Sequence, residues 1–206
     1  MNLSKNIRYG LTIVIVACII YIPGFSNSFT YLDDHVQVVE NQFIKSLSYE
    51  SIKGMFSTYF VGMYQPVTTL FYAIVNSLFG LQPEAYHGLS LLLHIANSLL
   101  VFKLLQQFFN SKNVNFLLTL IFVVHPMQVE SVAWVSAFSN LLFSFFLLLA
   151  FWHYIQYQKE QDLKYNIYYF IFFLLSCLSK SAAVVFPIIL IAQDLFISGG
   201  FKIKQL

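Results

Sequence analysis

Long apolar stretches separated by short polar breaks run along almost the whole chain. A hydrocarbon core of about 30 Å asks a helix for about 20 apolar residues. Stretches near that length cover Tyr9 to Phe25, Tyr86 to Phe108, Asn113 to Val124, Ser131 to Tyr154, Tyr165 to Ser179 and Ala182 to Phe196. They predict an all-α, polytopic membrane helix bundle of about six transmembrane helices. The stretch Tyr64 to Phe79 is shorter, opens on Gln65-Pro66 and contains Thr68, Thr69, Asn76 and Ser77. It is expected to lie in the membrane surface, as is an amphipathic helix over Tyr49 to Phe60.

The distribution of Lys and Arg orients this pattern, because cytoplasmic loops near span ends hold the excess of both. With Tyr64 to Phe79 left out of the span count, Lys5, Arg8, Lys103, Lys112, Lys159, Lys164, Lys202 and Lys204 share one side, eight of the chain's 11. Counting that stretch as a span inverts the ratio. Both termini are therefore expected in the cytoplasm, with residues 26–85 forming an external loop that carries interfacial helices. With no internal repeat or linker, 1–206 reads as one membrane domain.

Composition narrows the classes further. Of 206 residues, 58% are hydrophobic and 10% charged, against roughly a quarter charged in soluble domains. A net charge of +2 without a basic patch argues against a nucleic-acid partner. Cys18 and Cys177 both lie in apolar runs and read as small hydrophobes, so neither a disulfide nor a zinc site is expected. Lys5 and Arg8 before an apolar run resemble a signal peptide, but the flank lacks an A-x-A cleavage site.

Chemistry concentrates at the outer ends of the spans. Asp33 and Asp34 are adjacent carboxylates just after the first span, and one of them is a candidate general base toward an acceptor hydroxyl. The alternative is a solvated turn or helix cap. His125-Pro126 and Glu130 fall at the next outer turn, either as a second wall of the same site or as a hydrogen-bonded turn. Lys180 at a third outer turn is placed to pair with a lipid-linked phosphate or to snorkel to the interface. Along the second span His87, Ser90, His94, Asn97 and Ser98 share one helical face, which lines a polar cavity or holds helices together. No metal is assigned to the two acids, although hard cations favour such ligands, and no cofactor motif is present.

Several segments stand in a set order along the chain: Tyr31-Leu-Asp33-Asp34 with Glu40-Asn41, Tyr64-Gln-Pro66-Val-Thr68, and Tyr86-His87 leading to His94 and Asn97. His125-Pro126-Met-Gln-Val-Glu130-Ser-Val-Ala-Trp134-Val-Ser136 comes next and is the most specific, and Leu178-Ser-Lys180, Pro187 and Asp194 follow. Together they resemble the N-terminal part of the GT-C class of membrane glycosyltransferases, nearest to the transmembrane and tetratricopeptide-repeat O-mannosyltransferases and their bacterial relatives.

The resemblance implies a polyprenyl-phosphate sugar donor and an inverting transfer to an acceptor hydroxyl. Carried over by position, Asp34, ahead of Asp33, would be the base and Glu130 would help to shape the acceptor site; His125, Lys180 and His94 join Glu130 as candidate substrate-binding residues on their own placement. Membrane lipid is an expected partner, and a bacterial inner membrane is the expected location. The chain departs from the pattern at Ala137, Phe138, Ser139 and Asn140, where relatives carry a charged run, and at Ser181. It is also shorter than those relatives. These departures point to a truncated or split enzyme needing a second membrane subunit, or to a non-catalytic remnant or scaffold. A small transporter using the polar stripe is a third reading.

Overall fold

The computed structural model describes residues 4–198. Nine α-helices occur among them: α1 Lys5–Tyr21, α2 Tyr49–Ser57, α3 Pro66–Phe79, α4 Pro83–Phe108, α5 Lys112–Val124, α6 Met127–Ala133, α7 Phe138–Glu160, α8 Leu163–Ser179 and α9 Phe186–Ser198. The architecture is an all-α membrane helix bundle. Three helical stretches are long and apolar enough to cross a bilayer unaided: Lys5–Ser26, Pro83–Phe108 and Val135–Glu160. The pair α5 and α6 crosses only if counted together through a bend of 62°, and α3, α8 and Ser181–Leu195 are shorter apolar helices.

The breaks between helices follow from local chemistry. Pro126 has no N–H and disfavours helical backbone at the residue before it; His125 accordingly turns extended (φ −64°, ψ 130°) and ends α5. Pro83 opens α4, where a missing N–H costs nothing, and Glu84 sits in its first turn with the favourable end of the helix dipole. Gln161 adopts a left-handed conformation (φ 54°) that closes α7, and the Asp162 side chain accepts from the Lys164 N–H to start α8. Gly54 of α2 lies against Phe43, whose ring leaves no room for a Cβ there.

Cross-links identify two ends of the bundle. At one end, the terminal end, the Tyr9 hydroxyl donates to Asn113, Lys159 to Gln107, and Tyr154 and Gln158 to Asp194. At the other, the loop end, His87 donates to the Asn27 carbonyl and Thr68 to the Ser179 carbonyl. The chain thus leaves α1 and enters α4 at the same end. Successive turns of α3 bond to Ser179, Val135 and Ile44 through Thr68, Tyr72 and Asn76. All three partners lie at the loop end, so α3 rests across it instead of traversing the bundle.

Helix α4 is the central member, packed on α1, α5 and α7. Its stripe His87, Ser90, His94, Asn97 and Ser98 is buried throughout, in keeping with the interior orientation expected of polar groups at membrane depth. Two of the five bond to other helices: Asn97 donates to the Leu141 carbonyl of α7 and His94 to the Val123 carbonyl of α5, while Ser98 bonds within α4 and the buried Ser90 hydroxyl has no partner among the described residues.

One expected span needs correction. The fourth span, expected from Ser131 to Tyr154, is present but begins later, as Val135–Glu160, because the helix at Ser131, α6, ends at Ala133, Trp134 turns extended (φ −100°, ψ 119°), and the long helix follows only after a 3-10 turn, Val135–Ala137. The cause is tertiary: the Ser136 N–H is drawn out of the helical pattern to a carboxylate 102 residues away.

Candidate functional site

That carboxylate is Asp34. Its side chain is only 1% exposed, and four donors hold it. Oδ2 accepts from the Thr30 N–H (2.8 Å) and hydroxyl (2.9 Å), while Oδ1 accepts from the Ser136 N–H (2.8 Å) and hydroxyl (2.5 Å). Hydrogen bonds to an ionised acceptor are roughly twice as strong as neutral ones, and here they satisfy both oxygens. The Trp134 indole N–H donates in turn to the Thr30 hydroxyl (3.2 Å). Asp34 therefore staples the start of the first loop to the α6–α7 junction.

The neighbouring acid differs completely. Asp33 is exposed and has no hydrogen-bond or ion-pair partner among the described residues. Thr30 and Leu32, just before it in sequence, line a shallow groove of about 380 Å³ together with Val129, Glu130, Ala133 and Trp134. Glu130 is exposed on the α6 side of that groove.

Across α6 lies a second cavity of about 340 Å³, with Gln128, Ser131, Asn140 and Ser144 set among apolar walls that include Phe122 and Leu148. Helix α6 thus separates the two hollows. At the margin of the second, the half-buried Lys180 donates to Asn140 Oδ1 (2.5 Å). Burial pushes the Lys180 ammonium below its ordinary pKa, and the negative charge of Glu130 opposes that shift. Lys180 has no carboxylate within ion-pair reach; the one salt bridge among the described residues joins Lys164 to Asp162 at the terminal end.

The remaining candidates are placed as follows. His125 is exposed, and its Nδ1 accepts from the Met127 N–H (3.2 Å), which caps α6. His94 is fully buried among α1, α4 and α5, donates weakly to the Val123 carbonyl (3.4 Å) and meets the rings of Tyr21 and Phe122. The groove sets Glu130 and Trp134 against Thr30 and Leu32, which precede the two acids in sequence, while His94 stays in the helix packing. No group of three or more His, Cys, Asp or Glu converges among the described residues.

Sequence reasoning gave no role to Thr30, Trp134, Ser136 or Asn140. Ser136 and Trp134 did lie in the most specific segment, and Asn140 marked a departure from the family pattern. Their contacts with residues 30, 34 and 180 are set by tertiary structure, which spacing along the chain does not report.

The profile of the dolichyl-phosphate-mannose-protein mannosyltransferase family matches residues 64–205. Among curated relatives, protein O-mannosyl-transferase F38B6.6 of Caenorhabditis elegans is 26% identical over 88% of this chain and 27% of its own length. Human protein O-mannosyl-transferase TMTC3 is 34% identical over 44% of this chain and 10% of its own. Mouse TMTC1 is 28% identical over 48% and 10%. The chain spans about a quarter or less of each of these relatives. No solved structure matches.

Proposed function

This chain belongs to the dolichyl-phosphate-mannose-protein mannosyltransferase family, and from that premise we propose that it is a GT-C-like glycosyltransferase module working at the loop end of its bundle. The donor is a sugar on a polyprenyl phosphate and the acceptor is a hydroxyl. The acceptor oxygen attacks the anomeric carbon on the face opposite the phosphate, whose C–O bond breaks with its electron pair leaving on the phosphate. The acceptor proton passes to a carboxylate.

The observation that carries this reading is the pairing of a free acid with a saturated one. A general base needs an unoccupied lone pair within hydrogen-bond reach of the proton it takes. Asp34 has its oxygens filled by four donors, whereas Asp33 has none. We therefore assign the base to Asp33 and treat Asp34, favoured on sequence, as the residue that positions it. Glu130 and the exposed face of His125 shape the acceptor side, and Trp134 supplies the groove floor. Lys180 meets the departing phosphate, where positive charge is most useful. His94 serves substrate only indirectly, by seating α4. Arg8, the only arginine, lies at the terminal end, so a second membrane subunit is expected to add cationic groups around the phosphate.

Among the described residues the terminal end holds Lys5, Arg8, Lys103, Lys112, Lys159 and Lys164, and the loop end Lys45, Lys53 and Lys180. This excess supports a cytoplasmic terminal end and transfer on the external side.

One observation favours a non-catalytic scaffold instead: Ala137, Phe138 and Ser139, where the family pattern carries charge, are buried as packing residues. The test is transfer of a labelled sugar from a polyprenyl-phosphate donor in membranes, with the chain alone and with a partner subunit. Loss of transfer in Asp33→Asn at normal expression supports the enzyme; absence of transfer in every pairing supports the scaffold.

A further inference from the structure

Between α2 and α3 the chain makes a two-residue hairpin that the proposed chemistry does not use. Phe60 and Met63 exchange both backbone bonds at 2.9 Å, and the central residues Val61 and Gly62 both have positive φ, 50° and 71°. A hairpin turn of this hand is built for Gly or Asn; a β-branched residue there is strained. The strained position is also a solvent-facing one, since Val61 is 51% exposed and Tyr59 77% exposed. Phe56, Met63 and Tyr64 are exposed around them. The Tyr64 hydroxyl donates to the Phe56 carbonyl and its ring lies 5.6 Å from that of Tyr59, so the tip is an ordered apolar knob.

Its occupant is indicated by charge. From Met55 to Pro83 the chain contains no Asp, Glu, Lys, Arg or His, and the exposed side chains of α3 in that stretch are the apolar Ile74, Leu78 and Phe79 with the uncharged Ser77. A docking surface for a charged partner would show complementary charge; this one has none. Tyrosines bordering an uncharged apolar knob suit the headgroup boundary of a bilayer, where the ring is buried and the hydroxyl stays wet.

We propose that the Tyr59–Tyr64 hairpin is a lipid anchor, inserted into the bilayer interface at the loop end, that fixes the first loop by apolar contact alone. Because the tip carries no cation, its insertion is independent of anionic lipid and of salt, unlike that of a basic surface helix. The anchor is a property of this hairpin and does not depend on the proposed transfer reaction.

The test is site-directed spin labelling of the chain in phosphatidylcholine vesicles, with Cys18 and Cys177 replaced by serine. Val61→Cys and Tyr59→Cys are compared with Ile15→Cys, a lipid-facing site on α1, and Glu50→Cys on the polar part of α2. Insertion predicts that oxygen collisions exceed those of a water-soluble nickel chelate at 59 and 61, as at Ile15, with no change on adding phosphatidylglycerol or salt. A label at both sites that collides more with nickel, as at Glu50, would overturn the anchor. So would exclusion of both reagents, which would mean that protein covers the tip. Labelling at 59 keeps the test decisive where substitution at the strained Val61 disturbs the turn.

Discussion

Two aspartates, one at each end of the bundle, look alike in composition and differ in everything around them. Asp194 at the terminal end accepts from two side chains, Tyr154 and Gln158, both on α7. Asp34 at the loop end accepts from four groups, two of them backbone N–H, belonging to two segments about half the chain apart. The first fastens one helix to its neighbour. The second ties the Thr30 segment, which leads into Asp33, to the junction between α6 and α7. A carboxylate whose oxygens are fully engaged is architecture, and chemistry is left to groups with unused bonding capacity: Asp33, Glu130 and Lys180.

The largest effect should come from removing the staple. Asp34→Ala strands buried donors on both segments and is expected to cost on the order of 3 kcal/mol, seen as a large fall in the thermal midpoint in detergent and as loss of all transfer. Asp33→Asn sharpens the contrast. It should lower transfer by about 10²- to 10⁴-fold while leaving the midpoint in place. The comparison breaks if Asp34→Asn abolishes transfer at unchanged stability while Asp33→Asn keeps it.

Lys180→Met is expected to weaken binding of a polyprenyl phosphate by about tenfold, equivalent to about 1.4 kcal/mol, in a lipid-binding assay. In the unaltered chain the phosphate pairs with the protonated amine. Affinity should therefore hold on the acid side of the depressed Lys180 pKa and fall as pH rises through it, below the ordinary value of 10.5; the Met variant should lose that pH dependence. The smallest effect belongs to the other aspartate. Asp194→Asn should lower stability by about 1 kcal/mol, with transfer rates in the same membranes unaltered.

What could be read from sequence follows the range of the forces involved. The interior face of α4 was legible because helical period alone brings His87, Ser90, His94, Asn97 and Ser98 into line, and burial in lipid leaves polar groups only one direction to face. The end of α5 was legible because Pro126 acts on its immediate neighbour. The start of α7 was not, since Ser131 to Ala137 is apolar enough to continue a helix and is broken by a bond from Ser136 to Asp34. The division of labour between Asp33 and Asp34 was hidden for the same reason. Adjacent acids are equivalent to a pattern reader, and only the arrival of Thr30 and Ser136 tells them apart. Glu130 could be placed at the loop end from topology, while the contact between Lys180 and Asn140 joins two helices whose register no spacing reveals.

The buried stripe of α4 also bears on how the chain assembles. A helix of 26 residues can enter a bilayer by itself, but its amide and imidazole groups find partners only on neighbours, and Asn97 finds its carbonyl on Leu141 of α7. Sliding α4 by one turn, or ending the chain before that residue, would leave the amide facing hydrocarbon. The mating of α1, α4, α5 and α7 is thus a lock with a single key position, and the smallest fragment able to close it must extend into α7.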